Sequence, residues 1–491
     1  MELNYKNAAL QEPSLQAVFE KTTPPYPILH FGVGGFHRAH QAWALQGLLN
    51  DRRPELEHWG ITGVGVLPQD AAFAKTFRNQ DCLYFLQRFA PEGLRDTQLI
   101  SSIKEMLHVS EDYETILARI AAPETRIISF TITEGGYNVD YTTNTFIWDT
   151  PVVQEDLLRR DVPKTVFRVL AEGLKKRSMA DGGAIVLMSC DNVQHNGDIL
   201  RLALIEFLKR FDPSLIDWVA QHVTFVKTMV DRITPATTRA QKEAFEKTGG
   251  FHDQCLVVCE EYFQWIIEEH PGLAGLPLRD MGATVVKEVA PYEKMKLRLL
   301  NGGHSLTGLL GEALGYDRIH TAIKDDNINA VFQRYCSEEV IPTLDPIAAV
   351  HYPDYVQQLV YRFGNPMIND STARIISGST DKLPKFVLPV ISEQLKRQTP
   401  KIKCGVLILA AWYYYLEEAF KKDQMEEVQD LNRELLLALF SEPDWDACQF
   451  ITRLPVLHTL QREPVVQTLF LEYVQALRVG EIHLLINQLL H

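Results

Sequence analysis

Short apolar runs that end in turn residues recur through the first part of the chain and predict buried strands. These runs lack polar alternation, which is typical of central parallel strands covered on both faces. Parallel strands of this kind alternate with helices in α/β domains. The predicted strands cover residues 28–31, 59–67, 126–133, 184–189 and 225–235.

From about residue 287 the hydrophobic spacing becomes helical. The predicted helices cover residues 296–314, 328–335, 404–421, 428–440 and 464–490. A chain of 491 residues is too long for one core. We therefore predict a Rossmann-type α/β domain over residues 1–286, followed by a mostly α-helical domain over residues 287–491.

A glycine-rich turn follows the first predicted strand. Gly32-Val33-Gly34-Gly35 comes directly after residues 28–31, and a helix with buried positions at Ala42, Leu45 and Leu48 follows. Such a turn holds a dinucleotide pyrophosphate on backbone N–H groups at a helix N-terminus. The third glycine of the usual pattern is replaced by His37, and a turn without a ligand is the alternative.

Polar side chains stand at the ends of the later predicted strands. Asp70 follows the second strand, where an acidic residue would hold the adenosine ribose, although it comes later than the usual spacing of about 20 residues. Glu134 and Asn192 follow the next two strands, and Asp231 lies in the last one. Carboxyl ends of parallel strands face the ligand crevice. The alternative for each residue is an ordinary turn, loop or cap position.

The stretch 291–305 combines apolar residues with Lys296, Asn301 and His304. At about 100° per residue, these three side chains fall within an arc of about 140° on one helix. A lysine whose pKa is lowered can act as a general base, and an amide and an imidazole can bind a hydroxyl or carbonyl oxygen. The alternative is a surface lysine, a helix-ending Asn-Gly and a core histidine.

Two further groups of residues suggest ligand binding. Arg374 and Lys382 flank a Gly-Ser-Thr loop and could bind phosphate or polyol oxygens, or could be solvated charges. His252, Cys255 and Cys259 are close enough in sequence to suggest zinc. The run CLVVCEEYFQW favours a buried strand leading into a helix instead, so we expect no metal.

Composition narrows the class of protein. The chain is 46% hydrophobic and 23% charged, as soluble globular proteins are. A net charge of −14 argues against nucleic acid or an anionic membrane as partner, without forbidding a local basic pocket. Seven scattered cysteines and a start without a basic and apolar leader pattern favour reduced thiols in the cytoplasm.

Six motifs, in order over roughly 350 residues, resemble those of the polyol-specific long-chain dehydrogenases, the mannitol dehydrogenase family. They are GVGGFHRAHQ (32–41), TITEGGY (131–137), MSCDN (188–192), MVDRITP (229–235), KLRLLNGGHS (296–305) and GSTDKLPKF (378–386).

The resemblance implies roles for the residues singled out above. Lys296 is implied as the general base, with Asn192, Asn301 and His304 holding and polarising the reacting oxygen. Glu134 is associated with proton passage. Arg374 and Lys382 are implied to bind the distal hydroxyls. NAD is the implied cofactor, and its predicted binding residues are Gly32, Val33, Gly34, Gly35, Phe36, His37, Arg38, Asp70 and Asp231.

The implied activity is metal-independent hydride transfer between mannitol, or a similar polyol, and a ketose such as fructose. The same scaffold also reduces hexuronate keto acids such as fructuronate, and an NAD-binding sensor without turnover is a third possibility. Ser377, Gly303 and Tyr262 depart from residues common in relatives and concern only the fit of the substrate. We expect a small-molecule polyol or ketose as partner and a monomer, with an oligomer and the physiological direction left open.

Overall fold

The computed structural model describes residues 1–11, 23–141, 143–159 and 162–490. The chain divides into two compact units. The N-terminal unit comprises Met1–Phe89 and Leu94–Ala290, and the C-terminal unit comprises Ala90–Gly93 and Pro291–His491.

A six-stranded parallel sheet forms the centre of the N-terminal unit. Its order is β10-β9-β6-β1-β2-β5, so the direction of strand addition reverses at β1. Ligands of open α/β sheets bind at the carboxyl ends of strands beside such a reversal. The strands of this sheet are β1 Ile28–Phe31, β2 Ile61–Gly65, β5 Ile103–His108, β6 Ile127–Phe130, β9 Ile185–Ser189 and β10 Val223–Val226.

Both faces of this sheet are buried, as the absence of polar alternation predicts. Ile28 packs in one hydrophobic cluster, whereas Leu29 and Phe31 pack in another. Successive residues of a strand point to opposite faces, so these are the clusters above and below the sheet. The covering helices are Gly35–Ala39, Gln41–Asn50, Asp70–Asn79, Val109–Ala121, Pro151–Leu158, Val166–Met179, Asn196–Phe211 and Ile216–His222.

Smaller sheets complete the N-terminal unit. They are β3 Tyr84–Ala90 and β4 Gly93–Ile100 with β12 Val257–Glu260; β11 Thr228–Asp231 with β13 Gln264–Glu268 and β14 Thr284–Val286; and the pair β7 Val139–Asp140 with β8 Thr145–Phe146. Helices Tyr5–Gln11 and Arg239–Gly249 and short 3₁₀ turns at Pro54–Leu56, Glu134–Tyr137, Pro213–Leu215 and Pro271–Leu273 make up the rest.

Two sequence predictions in this region were wrong in detail. The strand predicted over residues 225–235 is two strands: β10 closes the edge of the parallel sheet, and β11 pairs antiparallel with β13 in a separate sheet. The segment after Cys259 is also not a helix, because Gln264–Glu268 forms β13. Trp265, Ile266 and Ile267 are aromatic or β-branched and buried, which suits a strand.

The C-terminal unit is helical, as predicted. Its α-helices are Ala290–Met295, Gly302–Ala313, Ile319–Ala322, Asp326–Arg334, Tyr352–Phe363, Thr372–Ile376, Ser379–Phe386, Leu388–Leu395, Lys403–Lys421, Arg433–Phe440, Ala447–Arg453, Pro464–Arg478 and Ile482–Leu490. Two π-helices, Lys296–Asn301 and Tyr335–Val340, and 3₁₀ turns at Ile341–Thr343, Met425–Glu427 and Pro455–Leu457 complete it. The predicted helix 464–490 is broken at Gly480, whose φ of +75° ends the first half.

The long helix Lys403–Lys421 is buried over most of its length, and a buried carboxylate caps its start. Glu339 accepts hydrogen bonds from the backbone amides of Cys404 at 2.6 Å and Gly405 at 2.8 Å. Burial raises the pKa of Glu339 to about 7. Within the described residues, no helix is long and apolar enough to cross a membrane.

Candidate active site

The glycine turn after β1 is shaped by backbone crowding. Gly32 has a φ of +91°, and a Cβ atom there would lie 2.1 Å from the carbonyl oxygen of Thr131. Only glycine fits such a position. Gly34 is extended and precedes helix Gly35–Ala39, and no side chain of the described residues caps that helix. The first backbone amides of this helix therefore have no acceptor within the helix and can donate to a bound anion.

Two stacked histidines lie beneath this turn. His30 is fully buried, and its ring nitrogens contact Ser129 Oγ at 2.8 Å and Thr131 Oγ1 at 3.0 Å. The ring of His37 stacks on His30 with centroids 3.4 Å apart. Burial lowers the pKa of His30 to about 3 and that of His37 well below its ordinary value, so both rings are neutral at pH 7. Neutral rings let the turn pack tightly without a buried charge.

A cavity of about 620 Å³ opens at the carboxyl ends of β1, β2 and β6. Of the predicted cofactor residues, it is lined by Gly32, Val33, Gly34, Arg38 and Asp70. Its volume and position at the strand-order reversal suit a dinucleotide. The remaining predicted cofactor residues, Gly35, Phe36, His37 and Asp231, are not among the lining residues.

Asp70 has a structural contact besides its place in the cavity. Its Oδ2 accepts hydrogen bonds from the amides of Val66 at 3.2 Å and Leu67 at 3.1 Å, which closes the turn after β2. The carboxylate therefore organises its own loop and also lines the cavity, while its role in holding the ribose stays a prediction.

A carboxylate that the sequence analysis overlooked joins the ends of β6 and β9. Asp191 accepts hydrogen bonds from the amides of Ile132 at 3.1 Å and Thr133 at 2.8 Å, and from the hydroxyl of Tyr137 at 2.7 Å. Glu134 and Asn192, which adjoin these contacts in sequence, are both exposed. The loops that carry the two predicted site residues are therefore held together by one buried group. The sequence feature that could have identified Asp191 is its position in the CDN motif.

The segment carrying Lys296 and Asn301 differs from the regular α-helix assumed in the sequence analysis. Residues Lys296–Asn301 form a π-helix, and His304 lies in the first turn of the α-helix that follows. In an α-helix Lys296 and Asn301 would be about 140° apart. The i→i+5 hydrogen-bond period of a π-helix brings residues five apart to nearly the same side, and such segments are frequent at functional sites. Lys296 is buried and Asn301 is half-buried.

The His304 ring contacts an aromatic side chain and lies near a carboxylate. Its ring stacks on Phe363 with centroids 4.3 Å apart, and Nε2 lies 3.9 Å from Oδ2 of Asp370. Burial lowers the pKa of His304 to about 3, although Asp370 opposes this shift. The imidazole is therefore neutral at pH 7 and can both donate and accept a hydrogen bond.

The two predicted distal cations lie near His304. Arg374 forms a bidentate ion pair with the buried carboxylate of Asp370. Lys382 donates to the carbonyl oxygen of Ile375 at 2.9 Å. His304, Arg374 and Lys382 thus act on one another electrostatically within the C-terminal unit, and the binding of distal hydroxyls by the two cations stays a prediction.

The three residues considered for zinc have other surroundings in the structure. His252 pairs with Glu246 at 2.9 Å, and burial raises the pKa of Cys255 to about 12 and that of Cys259 to about 11. Both thiols are therefore protonated at pH 7 in this structure. Across the described parts of the chain, no three His, Cys, Asp or Glu side chains are arranged to hold a metal ion.

Comparison with protein families decides the relationship. The family profile described as the mannitol dehydrogenase Rossmann domain matches residues 26–278, and the one described as the mannitol dehydrogenase C-terminal domain matches residues 288–462. The chain belongs to the mannitol dehydrogenase family. The family, the fold class and the class of NAD-dependent polyol oxidoreductase predicted from the motifs are thereby confirmed at the level of the family.

Individual relatives agree with this assignment. Mannitol dehydrogenase 2 of Saccharomyces cerevisiae is 37% identical over 424 residues, covering 84% of each chain. Polyol:NADP oxidoreductase of Gluconobacter oxydans is 34% identical over 394 residues, covering 78% of this chain and 80% of that protein.

A solved structure matches the whole chain. Mannitol 2-dehydrogenase of Pseudomonas fluorescens, in a ternary complex with NAD and D-mannitol, superposes with a TM-score of 0.84 at 31% identity. The match covers 100% of this chain and 99% of that one.

Proposed function

We propose that the chain is a mannitol 2-dehydrogenase that transfers a hydride between D-mannitol and D-fructose with NAD as cofactor and without a metal. The proposal is supported by the match along the full chain to an enzyme of that name and by the chemistry of residues 296–304. The relative from Gluconobacter oxydans is named for polyols in general and for NADP, so the proposed preference for mannitol and NAD depends on the residues of this chain.

The N-terminal unit fits NAD. The crowded Gly32, the uncapped start of helix Gly35–Ala39 and the cavity of about 620 Å³ form the cradle that a pyrophosphate needs. Asp70 lines that cavity and is the acidic group available for the ribose hydroxyls. Bound NAD⁺ supplies the acceptor for the hydride that leaves C2 of the polyol.

The observation that carries the chemistry is a buried lysine and a neutral histidine on adjoining helical segments. Lys296 is 7% exposed, and burial favours its neutral amine, the form that can take a proton. As C2 loses its hydride, Lys296 takes the proton of the C2 hydroxyl, and the C–O single bond becomes the carbonyl of fructose. Fructose reduction runs the same transfers backwards.

The remaining polar residues stabilise the oxygen on which charge develops. Asn301 and the neutral His304 donate hydrogen bonds to it, and Asn192 adds a further amide donor, which replaces the Lewis acid of metal-dependent dehydrogenases. Glu134 is exposed, as its proposed part in proton passage requires. Arg374 and Lys382 serve the distal hydroxyls.

The test is an absorbance assay at 340 nm with NAD⁺ and a panel of polyols. We expect D-mannitol to be the best substrate, D-arabinitol to be weaker and 2-propanol not to react. A site that pairs hydroxyls discriminates against compounds lacking them, because its own polar groups are left unpaired. Absence of turnover with every polyol and keto acid would favour the sensor.

A hexuronate keto acid is the second candidate, because three cations act electrostatically on His304. The pKa of His304 is lowered by burial and also by the positive charges of Arg362, Arg374 and Lys382. Cations near the site could attract a hexuronate, in which a carboxylate replaces the terminal hydroxymethyl group. The comparison is kcat/KM for fructuronate reduction against fructose reduction. A fructuronate value more than about tenfold above the fructose value would contradict the mannitol assignment.

A further inference from the structure

Arg374 does not present an isolated positive charge. Its Nε donates to Oδ1 of Asp370 at 2.5 Å, and its Nη2 donates to Oδ2 of the same carboxylate. The carboxylate is 6% exposed, whereas the Arg374 side chain is 57% exposed. Bidentate pairs of this geometry are the strong form of the arginine–carboxylate interaction.

This pairing changes what Arg374 can bind. The guanidinium keeps N–H groups that point away from Asp370, so it can still donate to a neutral hydroxyl. Its charge is compensated at bonding distance, so its attraction for a second carboxylate is much weaker than that of an unpaired arginine. Asp370 would also repel an incoming carboxylate directly.

We propose that Asp370 is a specificity-determining residue that makes this part of the site select neutral polyols over hexuronates. The inference rests on the proposed function, in which Arg374 faces the distal end of the substrate. Asp370 acts through Arg374 and is a positioning residue, not a catalytic one.

The other charged groups near His304 set the size of the effect. Lys382 and Arg362 are cations and remain when Asp370 is neutralised. With Asp370 present, one carboxylate offsets part of three positive charges. Without it, one negative charge is lost from this region while the cations remain, so discrimination against a uronate should fall.

The experiment measures kcat/KM for fructose and for fructuronate reduction in wild type and in Asp370→Asn. Asparagine keeps the shape and one acceptor oxygen but removes the charge. We expect the fructuronate-to-fructose ratio to rise by about tenfold or more, and the rise to shrink at high salt, where charge interactions are screened. A role in structure alone would lower both values by the same factor and leave the ratio unchanged, which would overturn the proposal.

The matched control is Asp381→Asn. Asp381 forms an i,i+4 ion pair with Lys385 at 2.7 Å and its side chain is 54% exposed. The same substitution there removes a paired carboxylate from a neighbouring helix of the same unit. We expect its ratio to stay within about threefold of wild type, and an equal rise in both variants would contradict a specific role for Asp370.

A second variant tests the proposal even if Asp370→Asn does not fold. Removing both partners of the ion pair leaves the local net charge unchanged, so the double variant Asp370→Asn/Arg374→Gln should leave the fructuronate-to-fructose ratio within about threefold. A tenfold fall in that ratio would mean that Arg374 acts as an uncompensated cation and would overturn the proposal. Lack of fructose reduction by the wild-type protein would instead contradict the proposed function, so the two failures are distinct.

Discussion

The carboxylate of Asp191 accepts a hydrogen bond from the backbone amide of Thr133 at 2.8 Å, and so ties the end of β9 to the end of β6. Thr133 has a φ of +63°, a conformation that a β-branched residue rarely adopts. The contact therefore holds an unfavourable backbone conformation in the loop directly before Glu134.

Removing Asp191 should destabilise the protein. Asp191→Ala leaves the amides of Ile132 and Thr133 and the hydroxyl of Tyr137 without their acceptor, which should cost roughly 2–4 kcal/mol of unfolding free energy. Tyr137→Phe removes one of these bonds and should cost about 1 kcal/mol. Urea unfolding of both variants checks this, and equal losses would show that the amide contacts are unimportant.

Lys296→Ala should lower kcat by at least about 10³-fold, because general base catalysis contributes roughly 10²–10⁴-fold. Lys294→Ala is the matched control. Lys294 is two residues away and pairs with Asp345 at 3.4 Å and Glu393 at 3.7 Å. Steady-state rates at pH 7 should separate the two variants, and wild-type turnover in Lys296→Ala would remove this lysine from the mechanism.

Asp70 should determine preference for NAD over NADP. Its charge beside a 2′-phosphate would cost on the order of 1–4 kcal/mol. Asp70→Asn can keep an acceptor for the amides of Val66 and Leu67 while losing the charge, so the preference should relax. Asp112 also accepts a backbone hydrogen bond, from His108 at 3.0 Å, but does not line the cavity. The ratio of kcat/KM for the two cofactors should change in Asp70→Asn and not in Asp112→Asn.

Glu339 should make stability depend on pH. Its folded pKa of about 7 is above the ordinary 4.5, so the folded state keeps a proton that the unfolded state releases between these values. Stability from this group is therefore present below pH 4.5 and falls as pH rises to about 7, by roughly 3 kcal/mol at most.

The measurement is unfolding free energy between pH 5 and 8 for wild type, Glu339→Gln and Glu338→Gln. Glu339→Gln should lose this part of the pH dependence. Glu338 is its neighbour, pairs with Arg334 at 3.3 Å and should leave the dependence intact. Parallel curves for wild type and Glu339→Gln would contradict the assignment.

Activity should survive dialysis against a strong chelator, because Lys296, Asn301 and His304 already provide for the proton and the oxygen. The assay is mannitol oxidation before and after dialysis, with zinc added back. A loss that zinc restores would contradict the metal-free mechanism and return attention to Cys255 and Cys259.

Features that depend on residues close together in the sequence were predictable. Strand β1 covers the residues 28–31 that the sequence predicted, and the crowded position of Gly32 explains why glycine stands there. The Asp370–Arg374 pair also has a local signal, an acid and a base four residues apart, which was overlooked. The link between Asp191 and Thr133 had no such signal, because it joins residues 58 positions apart.

Breaks in regular secondary structure were harder to predict from the sequence. Hydrophobic periodicity predicts a helix through residues 296–314, but it cannot distinguish α from π hydrogen bonding within a buried segment. It also could not reveal that the chain leaves the parallel sheet after Val226, since β10 and β11 are equally apolar and differ only in their pairing partners.

The π-helix gives the spacing in the K-x₄-N motif a physical meaning. Lys296 and Asn301 are separated by one i→i+5 period, so backbone geometry constrains the number of intervening residues. Of these residues, Arg298 is also held by an ion pair with Glu393 at 2.5 Å. In this chain, Leu297 and Leu300 make only apolar contributions to the segment, and we expect other apolar residues to be tolerated at both positions. In a regular α-helix the same spacing of five would place the lysine and the amide about 140° apart, so the π-helical turn is what lets this spacing keep both side chains near one face.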